Sequence, residues 1–372
     1  MPLRALARVN LAAIERNVTR LKRDLTPGTE LCAVVKADGY GHGAAPAAAA
    51  ALAGGASWLA VATADEAAEL RAAGISPRVL VMGAISDAEL APALAADADV
   101  VAWSEHFVSA LAAHAERPVR VHVKLDSGMG RLGTRDAGEA LHVAELIRVT
   151  PGLELAGAMT HFATADDDPA FMAVQLAAFA PIAADLRRRY PGIVVHAANS
   201  AATLRDPATH FDLVRCGIAI YGLDPMQEDP RARELEPALE LHSYLAAVKA
   251  TAPGQSAGYG RRFVAAGETW IATLPIGYGD GVRRAFSNNC EVLVAGRRYP
   301  LVGTVSMDNI TIDLGPETDL EPGTPATIIG TDGGERQTAE TLAHLIATIN
   351  YEIVCGISRR VPRAYHRDGG PA

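Results

Sequence analysis

Between residues 30 and 222, short apolar runs recur, separated by alanine-rich helical stretches. The runs are "LCAVV", "WLAVA", "RVLVM", "DVVAW", "VRVHVKL", "LELAGAMT", "IVVHAA" and "VRCGIAIY". They are continuously apolar rather than alternating, so both faces of each strand are expected to be buried. Helix patterns such as "DEAAELRAAG" lie between them. There Thr63 and Glu66 have the spacing of a capping box, and Gly74 supplies a stop. Alternation at this density predicts a parallel sheet. Eight strands suit a (β/α)8 barrel of TIM type, with a doubly wound sheet as the alternative. The spacing is too irregular for a solenoid.

The character changes near residue 235. "HSYLAAVKAT", "TWIATLPIGYG", "NNCEVLVAGRRYPLVGTVSMDNITIDL" and "TPATIIGT" are strands broken by Gly, Pro and Asn turns. One helix, "TAETLAHLIA", precedes the C-terminal "YEIVCGISRRVPR". A chain of 372 residues fits two domains. We expect a barrel over residues 1–235 and a mainly β domain over 236–372, with roughly the first ten residues pairing with the second domain.

Composition narrows the function classes. The formal charge is −9, and no basic stripe argues for nucleic acid. The run Arg187-Arg188-Arg189 reads as a solvated helix end. Cys32, Cys216, Cys290 and Cys355 are far apart, which excludes metal-ligand spacing and points to buried, reduced thiols. Arg4, Arg8, Glu15 and Arg16 interrupt any apolar signal core, and no uninterrupted run approaches a membrane span. A soluble, cytoplasmic protein is expected, with no membrane or nucleic-acid partner.

In a β/α barrel the loops after the strands build the active site. Here those positions are polar. Lys36, Tyr40 and His42 follow the first run, Asp126 to Arg131 the fifth, His161 the sixth, and Asn199 and Ser200 the seventh; Arg215 and Gly217 lie in the last. A lysine amine can form a Schiff base, although a strand-end surface lysine is the commoner case. "GMGRLG" (Gly128 to Gly133) fits a dinucleotide fingerprint formally. A lone match is weak, and the acid expected about 20 residues on would fall near Glu154, at a strand's beginning. The acidic run Asp166-Asp167-Asp168 lacks ligand spacing and reads as a solvated loop.

These blocks resemble one family. "AVVKADGYGHG", "KLDSGMGRLG", "HFATAD", "NSAAT", "RCGIAIYG", "GYGRRF", "PIGYGDG", "VGTVSMDN" and "NYEIVCGISRRVPR" match, in order, the blocks of bacterial alanine racemases, fold-type III enzymes dependent on pyridoxal 5′-phosphate (PLP). The likeness covers nearly the whole chain. It implies that Lys36 carries the cofactor and that Tyr259 is the second catalytic base. It implies that Arg215 faces the pyridine nitrogen and that His161 links Arg215 to Tyr259. Tyr40, Asn199, Ser200, Gly217, Ile218 and Tyr351 match cofactor-binding positions, most of them in the phosphate site. Arg131 and Met307 match the substrate-carboxylate side, and Tyr278 and Asp308 the substrate access path. Lys124 matches a lysine carbamylated in some members that supports Arg131; a core-edge lysine paired with Asp126 is the alternative. Many relatives carry a charge before "SMD", where this chain has Gly303-Thr304-Val305. A homodimer is implied, in which Tyr259, Tyr278, Met307 and Asp308 reach the other chain's cofactor.

The implied reaction interconverts L- and D-alanine, with D-alanine destined for peptidoglycan. Racemisation takes a proton from one face of Cα and returns one to the other, so two bases are needed. Arginine only donates and stays charged, so a pyridine nitrogen facing Arg215 stays unprotonated. Fold-type III decarboxylases carry glutamate at that position. A racemase of broader substrate range is the second reading. A PLP-homeostasis protein is the third; single-domain members of that class lack the β domain and its tyrosine.

Overall fold

The computed structural model describes residues 3–371. Its contacts divide into two units. One runs from Ile14 to Ile220; the other joins the residues before Ile14 to those from Tyr221 onward.

The first described strand, β1 (Leu6–Asn10), belongs to the second unit. The eight that follow are β2 (Glu30–Val34), β3 (Trp58–Val61), β4 (Arg78–Val81), β5 (Asp99–Ala102), β6 (Val119–Lys124), β7 (Leu153–Met159), β8 (Val194–His196) and β9 (Leu213–Cys216). They form one closed, parallel barrel, which β2 seals by pairing with β9. The doubly wound alternative is thereby excluded. Closure buries both faces of each strand. Leu31, Leu59, Leu80, Val100 and Val214 are fully buried, each contributing about 1.5–3 kcal/mol of hydrophobic stabilisation.

The capping box forms as its spacing requires. Thr63 Oγ1 accepts from Glu66 N at 3.2 Å, and Glu66 Oε2 accepts from Thr63 N at 3.2 Å. The helix Ala64–Ala72 ends just before Gly74, whose φ of +79° suits glycine. The long helix Pro169–Arg189 has the length and hydropathy of a membrane span. Yet Met172, Gln175, Phe179, Ala183 and Leu186 are buried along one face, the pattern of a helix laid on a barrel. Asp168 caps its start, and at its end Arg187 pairs with Asp212 while Arg188 and Arg189 pair with Asp185.

Three boundaries differ from the sequence pattern. The run "VRCGIAIY" is a strand only as far as Cys216; beyond Gly217 the chain turns into a 3-10 helix, because Ser200 Oγ takes the amide protons of Gly217 and Ala219 that would extend a ladder. "HSYLAAVKAT" is split between β10 (Leu239–Tyr244) and β11 (Ala247–Thr251). Asn350–Cys355 is a second short helix in the C-terminal stretch. Cys355 is exposed, whereas Cys32, Cys216 and Cys290 are buried.

The second unit is mainly β. An 11-stranded sheet includes β10 and β11, and β1 joins it between β10 and the strand Arg363–Arg367. Ala257, Ile271 and Val302 form a small core there, with Phe263 packed against it.

Candidate active site

At the C-terminal end of β2 the chain reverses hand. Ala37, Asp38, Gly39 and Tyr40 have φ between +52° and +60°, one left-handed turn directly after Lys36. For non-glycine residues this costs roughly 1–2 kcal/mol each. Two carboxylates offset it. Glu66 Oε1 accepts from Ala37 N at 2.6 Å, and Asp38 Oδ1 accepts from Ala44 N at 3.0 Å, capping the helix Ala44–Ala53. The turn directs Tyr40 inward, and Gly217 must lack a side chain, because a Cβ there would sit 2.4 Å from Tyr40 Oη.

Arg215, on β9, is buried. Its guanidinium donates to His196 Nδ1 (2.9 Å), His161 Nδ1 (3.1 Å), Thr160 O (3.0 Å) and Ala197 O (2.8 Å). All four acceptors are neutral, and Nε, also buried, has no partner among the described residues. Burial lowers the Arg215 pKa to about 10, which still leaves it charged at neutral pH. Burial, reinforced by the Arg215 charge, holds His161 and His196 well below the usual histidine range, so both rings are neutral acceptors. Gln175 fixes the loop after β7 by accepting from Ala163 N and donating to His161 O.

Lys124 ends β6 and is buried. Burial, aided by Arg215 and Arg131, pushes its pKa down to about 8. Asp126 does not pair with it. That carboxylate accepts from Gly128 N and Gly130 N and from Arg135 Nε at 3.3 Å. Arg131 is exposed and adds positive charge felt at His161. Asn199 caps the helix Ser200–Arg205 through Ala202 N, and Ser200 Oγ holds Gly217 N at 2.9 Å, next to buried Ile218.

The remaining nominees lie in the second unit. Tyr259 is 75 % exposed, on a short 3-10 turn between two positive-φ glycines, and Thr304 donates to its carbonyl. With Gly258, Thr304, Ser306 and Asn309 it lines a shallow pocket of about 380 Å³. Tyr278 and Met307 are 44 % and 52 % exposed, on loops joined by Tyr278 N to Ser306 O and Gly279 N to Met307 O. Arg360 bridges Asp308 (2.6 Å) to buried Asp280 (2.7 Å). Tyr351 lies half-buried in the helix Asn350–Cys355.

Comparison with known proteins decides what this geometry belongs to. The family "Alanine racemase, N-terminal domain" matches residues 9–225, and "Alanine racemase, C-terminal domain" matches residues 238–365. The chain belongs to the alanine racemase family. A curated alanine racemase of Geobacillus kaustophilus is 43 % identical over 97 % of this chain and 94 % of its own. One from a Nostoc species is 39 % identical over 97 % and 95 %. Among solved structures, alanine racemase from D-cycloserine-producing Streptomyces lavendulae superposes with a TM-score of 0.93, at 38 % identity over 98 % of both chains. The Bacillus anthracis alanine racemase with bound L-Ala-P gives 0.92 and 39 %, over 99 % of this chain and 96 % of that one. These relatives share the barrel and the mainly β domain.

Within this alanine racemase fold, ten nominated residues lie in the barrel unit: Lys36, Tyr40, Lys124, Arg131, His161, Asn199, Ser200, Arg215, Gly217 and Ile218. Direct contacts join Arg215 to His161 and Ser200 to Gly217. Sequence reasoning missed Glu66 as the support of the left-handed turn, Gln175 behind His161, and His196 against Arg215. The signal for His196 was present, as a lone polar residue in "IVVHAA".

Proposed function

We propose that this protein is a PLP-dependent racemase that interconverts L- and D-alanine with two bases, Lys36 and Tyr259. The observation that carries the reading is Arg215, a buried guanidinium among neutral acceptors with an unpartnered Nε. Such a donor fits a ligand presenting an acceptor without a negative charge, which a pyridine nitrogen does. The close approach of Gly217 to Tyr40 and the hydroxyl of Ser200 fit the other end, a phosphate, with Asn199, Ile218 and Tyr351 around it.

Bound PLP supplies an electron sink that acidifies the substrate's Cα–H. The protein supplies the rest. Lys36 would hold the cofactor and, once the substrate's amine had displaced it, would exchange a proton with Cα on one face as a free amine. Tyr259 would exchange a proton on the opposite face, with His161 linking it to Arg215. Arg215 would donate to the ring nitrogen of bound PLP and hold it unprotonated, so that PLP would supply a moderated electron sink. Arg131 and Met307 take the substrate carboxylate side, and Tyr278 and Asp308 line its approach. Lys124, with its pKa near 8, presents free amine close to neutral pH. Attack of that amine on carbon dioxide, with loss of a proton, gives a carbamate whose charge supports Arg131.

The exposed Tyr259, Tyr278 and Met307 support a homodimer, in which each chain completes its partner's site. The physiological role that follows is cytoplasmic supply of D-alanine for peptidoglycan.

The test is chiral analysis of the purified, PLP-loaded protein with L-alanine, D-alanine, serine, lysine and arginine, with visible absorbance recorded. Interconversion of alanine well above the others is expected, with covalent PLP absorbance lost in Lys36→Ala. Covalent PLP retained by that variant would overturn the assignment of Lys36. Equal rates on lysine or arginine would favour the broader racemase.

A further inference from the structure

Below Arg215 a file of polar side chains crosses the barrel interior. Arg215 donates to His196 Nδ1 at 2.9 Å. His196 Nε2 lies 2.9 Å from His122 Nδ1, and His122 Nε2 lies 3.0 Å from Asp99 Oδ2. Asp99, His122 and His196 are fully buried and come from β5, β6 and β8. At the far end Asp99 also binds Arg78 and Arg120. The barrel makes room for this file. A Cβ at Gly157 on β7 would lie 2.2 Å from His122 Nδ1 and 2.6 Å from Val194 O. Trp58 meets the His122 ring edge-on, with the Arg78 guanidinium 3.9 Å from the centre of its own ring.

The donor–acceptor sense of the whole file follows from its ends. A guanidinium has only donors, and an ionised carboxylate has only acceptors. His196 Nδ1 must therefore accept, which puts its proton on Nε2. That proton is donated to His122 Nδ1, which puts the His122 proton on Nε2 as well, directed at Asp99. Every bond runs one way, from cation to anion, and each polarises the next.

We propose that Asp99 and His122 are positioning residues for the racemase reaction: they lock the His196 tautomer and carry the Asp99 negative charge through neutral rings to Arg215, fixing that guanidinium as donor to the cofactor. The buried cation then needs no carboxylate beside it, which would compete with the cofactor nitrogen for the guanidinium's protons or, as a carboxylic acid, protonate that nitrogen. The cofactor part of this inference rests on the function proposed above; the tautomer part does not.

Two experiments test it separately. Neutron diffraction from the deuterated protein as purified should place deuterium on Nε2, and not Nδ1, of both His122 and His196. Deuterium on Nδ1 of either ring overturns the proposal, whether or not the protein racemises alanine. The second experiment compares Asp99→Asn and His122→Phe with the parent by thermal melting, kcat, and pH titration of the cofactor's visible absorbance. Loss of the remote negative charge in Asp99→Asn, or of the ring that relays it in His122→Phe, raises the positive potential at the cofactor. The absorbance midpoint should fall by roughly half a pH unit and kcat by roughly tenfold, the scale on which outer partners tune bound groups elsewhere. Variants that melt lower yet keep the parental midpoint and kcat reduce Asp99 and His122 to structural roles and overturn the proposal. If Asp99→Asn does not fold, His122→Phe and the neutron assignment decide. A protein that fails to bind PLP at all defeats the proposed function while leaving the tautomer result standing.

Discussion

Lys124 shows how one side chain can be both a liability to the fold and a reagent. Its pKa falls from 10.5 to about 8 because the charged form is held out of water beside Arg215 and Arg131. The sign for stability follows directly. Between about pH 8 and 10.5 the unfolded chain binds this proton and the native one does not, so the contribution of Lys124 to stability rises with pH across that window, opposed above about pH 9 by the thiols of Cys32, Cys216 and Cys290, whose pKa values burial raises. Below it the fold carries the full cost of a buried ammonium. In carbon-dioxide-free buffer, Lys124→Met is expected to be more stable at pH 7 by on the order of 1–3 kcal/mol. Its advantage over the parent should shrink as pH rises from 7 to 10. Urea titrations at pH 7, 9 and 10 measure both; a parental curve in the variant would contradict the buried-cation account.

At the scale of elements, the left-handed turn after β2 depends on a helix cap that serves two purposes. Glu66 closes the capping box of Ala64–Ala72, and its carboxylate also accepts from Ala62 N at 2.7 Å and Ala37 N at 2.6 Å. The box was legible in "TADEAAELRAAG" from spacing alone. The second role was not, because it requires β2 and β3 to be neighbours in the barrel. The reversed hand was hidden too, since Ala37 carries no signal for positive φ and Asp38 a far weaker one than Gly39. Glu66→Ala is expected to lose about 2–3 kcal/mol, from removal of charge-assisted bonds to backbone amides, and to load less PLP at Lys36. Glu66→Gln, which keeps an acceptor oxygen, should recover part of both. Chemical denaturation and the ratio of bound cofactor to protein are the measurements. Equal stability of Glu66→Ala and parent would mean that the turn holds itself.

For the molecule as a whole, the barrel and the β domain could be read from period and composition because they rest on continuous apolar strands and turn residues. Much of the site could be nominated because ordered motifs carried it. The polar file from Asp99 to Arg215 could not be read. Its members lie in four different strands, and only closure of the barrel brings them within bonding distance. That file, with His161 on the other side of Arg215, also contributes to acid stability. His122, His161 and His196 all have lowered pKa values. Once unfolded, each takes up a proton below about pH 6.5. Their contribution is therefore fully present above that pH and lost on acidification, each ring adding at most about 1.4 kcal/mol per pH unit. The urea midpoint should fall clearly from pH 7 to pH 5, and less steeply in His122→Phe. A midpoint that is flat over this range would show that these rings charge as readily in the fold as in water.

Gly157 places a further condition on the barrel. Its missing methyl group is the space that the His122 ring occupies. A larger residue at 157 evicts the ring, and removing the ring first does not open the way, because the Val194 carbonyl still lies 2.6 Å from where the Cβ would be. The dependence therefore runs one way: position 122 can vary while 157 stays glycine, but 157 stays barred even after 122 has changed.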